Sequence, residues 1–419
     1  MRAFPIVLIG ALAITAPQVG HAAQPAAPPL TLTAAIREAL AANPELVALR
    51  RDYDAATAAV PAARFLDAPM FETQIWGWPV ATVNPAMVDM YMFMAEQELP
   101  GRGKRAAREL VAGREAEMSR RQIAVRANEI LNAVKQTYVE LLLARSTVAL
   151  YEQQAPILRD IADAATLRFA SGHSGQHDTV KSVVELTRLQ TDAIEWHERA
   201  RTAEVRLATL LGRELGSTLP ALAAADSRTP DVAAAESTAA QRHPEVQMAL
   251  ATVAREEAEL ARLVGERKPD FVVGGGYMLQ PGGAGAWTAR GGISWPNAPW
   301  SRGKLNTEIA AQQKQLDAAR AHRDAALAAV RESVREATVR LEAARQRVEL
   351  LEAAVMPHVE HDFDVARASY AAGRAAFADL LESERALLTT HMDVIAARAD
   401  VQRAIAEVEL AVGDLAENE

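Results

Sequence analysis

The sequence predicts a mainly α-helical chain in which two copies of one unit each carry a long antiparallel helical hairpin and two strands of a shared β-barrel. Three observations carry this expectation. Short motifs recur along the chain at an offset of 200 or 201 residues. Each copy holds an apolar periodicity of three and four residues that runs far beyond an ordinary helix. Between the helices of each copy lie stretches rich in aromatic residues, methionine and glycine that alternate with a period of two.

Taken in order, residues 1–23 read as a signal peptide. Arg2 gives a positive start, Ile6 to Ala16 is an apolar run too short to span a bilayer, and Gly20-His21-Ala22 precedes a cut near Ala22 or Ala23. Gln24 to Pro29 is a Pro/Ala-rich stretch. Export favours disulfides, yet the chain has no cysteine, so stability must come from packing or oligomerisation. That lack also excludes a lipidated N-terminal cysteine and thiolate metal sites. The formal net charge of −9 gives no basic footprint for nucleic acid. After the signal no apolar run reaches the length of a transmembrane helix, so any membrane residence must use strands.

The recurring motifs define a first unit at 24–212, a linker at 213–233 and a second unit at 234–419. Asn43-Pro44-Glu45 returns as His243-Pro244-Glu245, Arg102-Gly103-Lys104 as Arg302-Gly303-Lys304, and Leu211-Gly212 as Val412-Gly413. Phe169-x-x-Gly172 with Asp178 returns as Tyr370-x-x-Gly373 with Asp379. Each unit reads helix, strand pair, very long helix, glycine turn, long helix. Asn43 as cap and Pro44 in the first turn start a helix that runs to about Ala63. From Gly103 to about Arg168 the periodicity predicts one helix of about 65 residues, or roughly 100 Å. Ile123, Ala127, Ile130, Val134, Tyr138 and Leu141 form its seam. Ser171-Gly172-His173-Ser174-Gly175 breaks it, and a second helix returns to Leu211; hairpins are thus expected at 103–212 and 303–413. A soluble coiled-coil spacer would explain the helices alone equally well.

The strand pairs, at about 69–99 and 270–296, separate a spacer from a channel. Phe271, Val273, Tyr277 and Leu279, then Trp287, Ala289, Ile293 and Trp295, make one apolar face, and Arg290 lies on the opposite one. Trp287 and Trp295 stand about 27 Å apart on an extended strand, which matches a lipid band between two aromatic girdles. In the first pair Met90, Met92, Met94, Glu96 and Glu98 alternate with Tyr91, Phe93 and Ala95, and the Met/Glu face is expected to line a lumen. Four strands per chain cannot close a barrel around a lumen, and an open edge cannot sit in lipid. Two copies would give a filled eight-stranded barrel, and three give twelve strands with room for a passage.

With Leu30-Thr31-Leu32-x-x-Ala35-Ile36, Asn-Pro-Glu at 43–45, Pro-Gly-Arg-Gly-Lys at 100–104 and Tyr370-x-x-Gly373 with Asp379-Leu380-Leu381, the chain resembles the TolC, or outer-membrane efflux protein, family from end to end. Gln97-x-Leu99-Pro100 to Lys104 is similar to the heavy-metal branch of the CusC and CzcC type. The resemblance implies a homotrimer in the outer membrane of a Gram-negative bacterium, its barrel among outer-membrane lipid above a long periplasmic tunnel. It implies unbroken helices at 103–168 and 303–371, with tips at Gly172 and Gly373 near Tyr370 that dock a periplasmic adaptor (membrane fusion) protein. That adaptor would join an inner-membrane pump of the RND type. It also places Asp379 and Glu382, with Asp178 as first-unit counterpart, at a carboxylate constriction that favours cations. The bland alternative for these is an exposed helix face. The cargo implied is a heavy-metal cation, with organic toxicants or secreted protein as alternatives, and a periplasmic coiled-coil adaptor or scaffold is the rival of another class.

Metal-ligating candidates are sparse. His173 and His177 are spaced i and i+4 beside Asp178, and His358 and His361 form a second pair; two histidines are too few for a closed site. Met90, Met92 and Met94 share a strand face where thioethers suit Cu(I), or where methionine is adaptable apolar lining. Arg102, Lys104, Arg105 and Arg108 are expected at the periplasmic headgroup level. No catalytic constellation, phosphate loop or cofactor motif stands out: Gly274-Gly275-Gly276 fits a strand of a barrel wall, and no enzyme activity is expected.

Overall fold

The computed structural model describes residues 28–81, 84–172, 175–214, 216, 219–224 and 232–413. The expected signal peptide and part of the expected linker lie outside the described residues, as does His173. The first unit runs α1 (Leu32–Ala42), α2 (Pro44–Ala59), β1 (Met70–Trp76), β2 (Met90–Leu99), α3 (Lys104–Ala170) and α4 (Gln176–Leu210). The second runs α5 (Val232–Arg242), α6 (Pro244–Gly265), β3 (Asp270–Leu279), β4 (Ala286–Ser294), α7 (Arg302–Leu350), α8 (Met356–Ala371) and α9 (Phe377–Val412). Each unit therefore has a helix the sequence reading did not separate, α1 and α5. The Thr31 hydroxyl caps α1 by accepting the Ala34 N–H at 3.2 Å, a cap the reading left unused. Helix α2 ends at Ala59 rather than about Ala63, because the chain tightens into a 3-10 turn over Val60–Arg64, which contains Pro61.

At 67 residues α3 is about 100 Å long. Its seam residues Ala127, Ile130, Val134, Tyr138 and Leu141 are buried with Leu207 and Leu211 of the returning arm and with Ala35, Ile36 and Ala39 of α1. Tyr138 donates its hydroxyl to the carbonyls of Leu30 and Ala223, at 2.7 and 2.8 Å. That contact ties the start of the described chain and the inter-unit segment to the middle of the bundle.

The expected unbroken second arm is corrected. Residues 302–371 form two α-helices joined by a π-turn over Leu351–Val355, just before Pro357 in the first turn of α8. Proline has no N–H and its ring presses on the carbonyl four residues back; a wider turn relieves that clash. Pro156 lies inside α3 without ending it.

The unit's register is kept by a duplicated device. Asn43 caps α2 by accepting the N–H of Glu45 and donates its amide to Leu210 O at 3.0 Å. His243 caps α6 in the same way through Nδ1, accepting the N–H of Glu245 at 3.2 Å, and hydrogen-bonds the carbonyl of Leu410. Burial holds the His243 pKa below the usual range, which keeps the accepting nitrogen free of a proton. Gly212 and Gly413, both at positive φ, seat the two returning arms on these caps. A Cβ at Gly212 would lie 2.5 Å from Ala42 O, and one at Gly413 would lie 2.6 Å from Pro244 Cδ.

The strands make one antiparallel sheet in the order β1-β2-β3-β4. Its base is joined to the helices through Lys104. This residue was expected with Arg102, Arg105 and Arg108 at the periplasmic headgroup level; instead its side chain is 1% exposed, and Nζ lies 2.7 Å from Asp270 at the start of β3 and 2.8 Å from Glu266 after α6. The Gly101 N–H donates to the other Asp270 oxygen at 2.7 Å, and a Cβ on Gly101 would strike Pro269 O at 2.5 Å. A buried ammonium needs such partners, since alone it would lose too much hydration. Its second-unit counterpart, Lys304, is 86% exposed.

Lys104→Met should therefore lower the unfolding free energy by about 3 kcal/mol, by stranding two carboxylates. Lys304→Met should change it by less than about 0.5 kcal/mol. Denaturant unfolding of the detergent-purified protein checks the pair, and equal effects at both positions would contradict this account.

Candidate channel wall and helical tips

The strand register puts every odd-numbered residue of the sheet on one face and every even-numbered residue on the other. Phe93 stands opposite Tyr277, and Tyr277 opposite Trp287. The odd face thus collects Phe71, Ile75, Phe93, Phe271, Trp287 and Ile293, all exposed. Tyr277 and Trp287 meet edge to face at 5.2 Å between ring centres near the hairpin end. Trp295, also exposed, continues this face past the base of β4. The even face carries the charged and amide side chains, interleaved with methionines and with Trp76 and Val272. Gln74 donates to Glu72 at 2.9 Å, the Trp76 indole donates to Gln74 at 3.3 Å, and Arg290 pairs with Glu96 at 2.5 Å. This ion pair bridges β4 and β2 across β3, so the Met/Glu face of the first hairpin and the arginine face of the second are one surface.

The glycines of β3 make that crossing possible. A Cβ on Gly274 would come within 2.9 Å of Glu96 Cγ, and one on Gly276 within 3.0 Å of Met94 Cγ. Longer residues there would push the side chains of β2 off the wall. Among the described residues β1 and β4 have no strand on their outer sides, so both edges of the sheet are open. Met92 pairs with Met278 and Gln74; Met94 pairs with Gly276 and Glu72; Met90 pairs with Trp76. The Met278 neighbour was not foreseen, because register across distant strands cannot be read from spacing.

At the far end, Gly172 and Gly373 both adopt positive φ and turn the two hairpins. The tips are joined to each other. Arg168, near the end of α3, donates to Tyr370 O at 2.6 Å and stacks over the Tyr370 ring at 4.6 Å. Tyr370 packs edge to face on Phe377, and its phenol pKa is raised, mainly by burial, with Asp178 adding to the effect and Arg168 opposing it. Further along, Arg385 of α9 is ion-paired with Glu185 of α4. Asp379 accepts the Ala376 N–H at 3.2 Å, an N-terminal cap of α9, and is exposed, as is Glu382. His177 is exposed at the start of α4, and among the described residues no group of three His, Asp or Glu side chains could hold a metal ion.

The carboxylate the sequence reading passed over is Glu384. It follows Phe377, Leu380 and Leu381 and precedes Leu387 on the buried stripe of α9, which packs with Leu158, Ile161 and Phe363 in the tip core. It is 2% exposed, and its Oε1 has no hydrogen-bond partner. Burial alone pushes its pKa up to about 7. The heptad position of Glu384 was visible in the sequence, but charge on long helices is common enough to hide it.

The sign of its pH effect follows. Between about pH 4.5 and 7 the folded state holds a proton that the unfolded state has released, so stability falls as pH rises through that window and is flat beyond it. Glu384→Gln should leave stability unchanged at pH 4 and raise it by roughly 3 kcal/mol at pH 8. Unfolding curves of both proteins at the two pH values test this; parallel pH profiles would show that the carboxylate is not buried in solution.

The comparisons with known proteins agree with this architecture. The sequence is 25% identical over 368 residues to the cobalt-zinc-cadmium resistance protein CzcC of Cupriavidus metallidurans, spanning 86% of this chain and 85% of that one. The fold matches the solved CusC channel with a TM-score of 0.78 at 14% identity, covering 91% of each chain. It matches the outer membrane protein VceC of Vibrio cholerae with a TM-score of 0.75 at 15% identity, covering 91% of this chain and 96% of that one. The family description that fits residues 35–213 and 233–414 is that of the outer membrane efflux proteins. With both units matched in register, this chain is a member of the outer membrane efflux protein family.

Proposed function

We propose that this protein is the outer-membrane duct of a tripartite system that exports heavy-metal cations. The observation that carries the reading is the two-faced sheet with open edges, continuous at its base with α3, which is about 100 Å long. An apolar face with aromatic residues toward both ends suits lipid, and the polar face suits a water-filled lumen. Open edges in lipid require neighbouring copies, and three copies give twelve strands. Apolar residues left exposed on α4, at Val180, Val184, Ile194 and Val205, offer neighbouring copies a packing face. The helical part would extend into the periplasm, with the Gly172 and Gly373 tips meeting an adaptor that joins an inner-membrane pump of the RND type. The pump supplies the energy, and this chain provides the passage.

The metal cargo is supported by the likeness to CzcC, whose name gives cobalt, zinc and cadmium resistance. A strain lacking this protein should become sensitive to such metal salts while keeping its tolerance of drugs and detergents. Sensitivity confined to organic toxicants would overturn the cargo and leave the duct. Asp379 and Glu382, exposed near the tip, are proposed to line the constriction. In lipid bilayers Asp379→Ala with Glu382→Ala should weaken cation selectivity, and unchanged conductance and selectivity would remove both residues from the passage.

A further inference from the structure

We infer that Met92, Met94 and Met278 form a soft-cation subsite on the polar wall of the sheet, which takes Cu(I) or Ag(I) in transit. The inference rests on the reading of that face as the lumen of a metal-efflux duct and adds a cargo class to it. Met92 and Met278 are direct cross-strand partners on β2 and β3, which places their Cβ atoms about 5 Å apart. Met94 is the next residue of β2 on the same face, about 7 Å along the strand. It lies over Gly276, where a Cβ would come within 3.0 Å of its Cγ. The glycine therefore leaves the space that Met94 fills. Three unbranched side chains, each with several rotatable bonds, can bring their sulfurs to one ion from these positions.

The alternative is that these methionines are apolar filling, and their placement argues against it. A membrane strand needs one apolar face, and here the opposite face supplies it with Phe71, Phe93, Phe271, Trp287 and Ile293. The methionines instead share the face of Glu72, Gln74, Glu96 and Arg290. Thioethers are soft ligands that select Cu(I) over hard cations. Glu96 is occupied by Arg290, whereas the Glu72 carboxylate, cross-strand from Met94, adds negative charge beside the sulfurs. Met92 and Met278 are only half-buried, so an ion can reach them from the wall surface. A site of neutral sulfurs with one nearby carboxylate holds a monovalent ion weakly enough to release it, as a passage requires.

The test uses Ag(I), which is stable in air, titrated calorimetrically into the detergent-purified full chain in its native oligomer. One Ag(I) per chain is expected. The combined Met92→Leu, Met94→Leu and Met278→Leu variant, which keeps side-chain volume, should bind at least about tenfold more weakly. Met248→Leu, in α6, should bind as the parent does. If the triple variant does not assemble, Met92→Leu and Met278→Leu are titrated singly, and each should weaken binding by at least about threefold. Undetectable Ag(I) binding by the parent, or equal affinity in the leucine variants, overturns the subsite. A metal-sensitive deletion strain alongside such a result would leave the efflux reading standing, and a metal-insensitive strain would overturn that reading independently of the titration.

Discussion

The buried contact of Lys104 with Asp270 and Glu266 is the joint on which the molecule turns. It sits where β2 becomes α3 and where α6 becomes β3, so one ammonium fixes the start of the longest helix against the entry to the second hairpin. Around it the chain approaches itself closely enough that Gly101 must lack a side chain. The same Arg-Gly-Lys motif in the second unit follows β4, which is an edge strand. Among the described residues no further strand follows for Lys304 to bind, which accounts for its exposure.

From that joint the sheet and the helical arms follow in opposite directions. Upward, four strands share a single parity, and Arg290 reaches Glu96 across the glycines of β3 to weld the two hairpins into one wall. Downward, the arms are held in register by paired caps bonded to the carbonyls of Leu210 and Leu410, and by Gly212 and Gly413, which let the chain close on them. At the tips Arg168, Tyr370 and Phe377 connect one hairpin to the other, so the tips form one assembly. The π-turn before Pro357 introduces a local irregularity between α7 and α8, and the buried carboxylate of Glu384 lies on α9, the returning arm of the same hairpin. The hairpins of the two units thus share a plan, and the second differs from the first in carrying the π-turn and the buried Glu384.

Much of this was legible in the sequence because local rules act on it strongly. The repeat offset, the seam of α3, the positive-φ glycines at the tips and the alternation of the strands each rest on a period or on a residue's own stereochemistry. The separate helices α1 and α5 were missed because the Asn43 cap was read as the first helix start of its unit rather than as a joint between two helices, and the reading was carried to the second unit through the repeat. Lys104 was misplaced because its sequence neighbours, Arg102, Arg105 and Arg108, make it look like one of a basic cluster at the headgroup level. Its partners lie more than 160 residues away.

The sequence by itself determined the two-unit plan, the length of α3 and the two-faced character of each strand, since these follow from periodicity and from the preferences of glycine and proline. The tertiary structure decided which face of the first hairpin joins which face of the second, where Lys104 and Glu384 are buried, and that Met278 stands beside Met92. Those facts depend on register and contact between segments far apart in the chain. No local pattern encodes them; they are settled only when buried charge must find a partner and strands must share one surface.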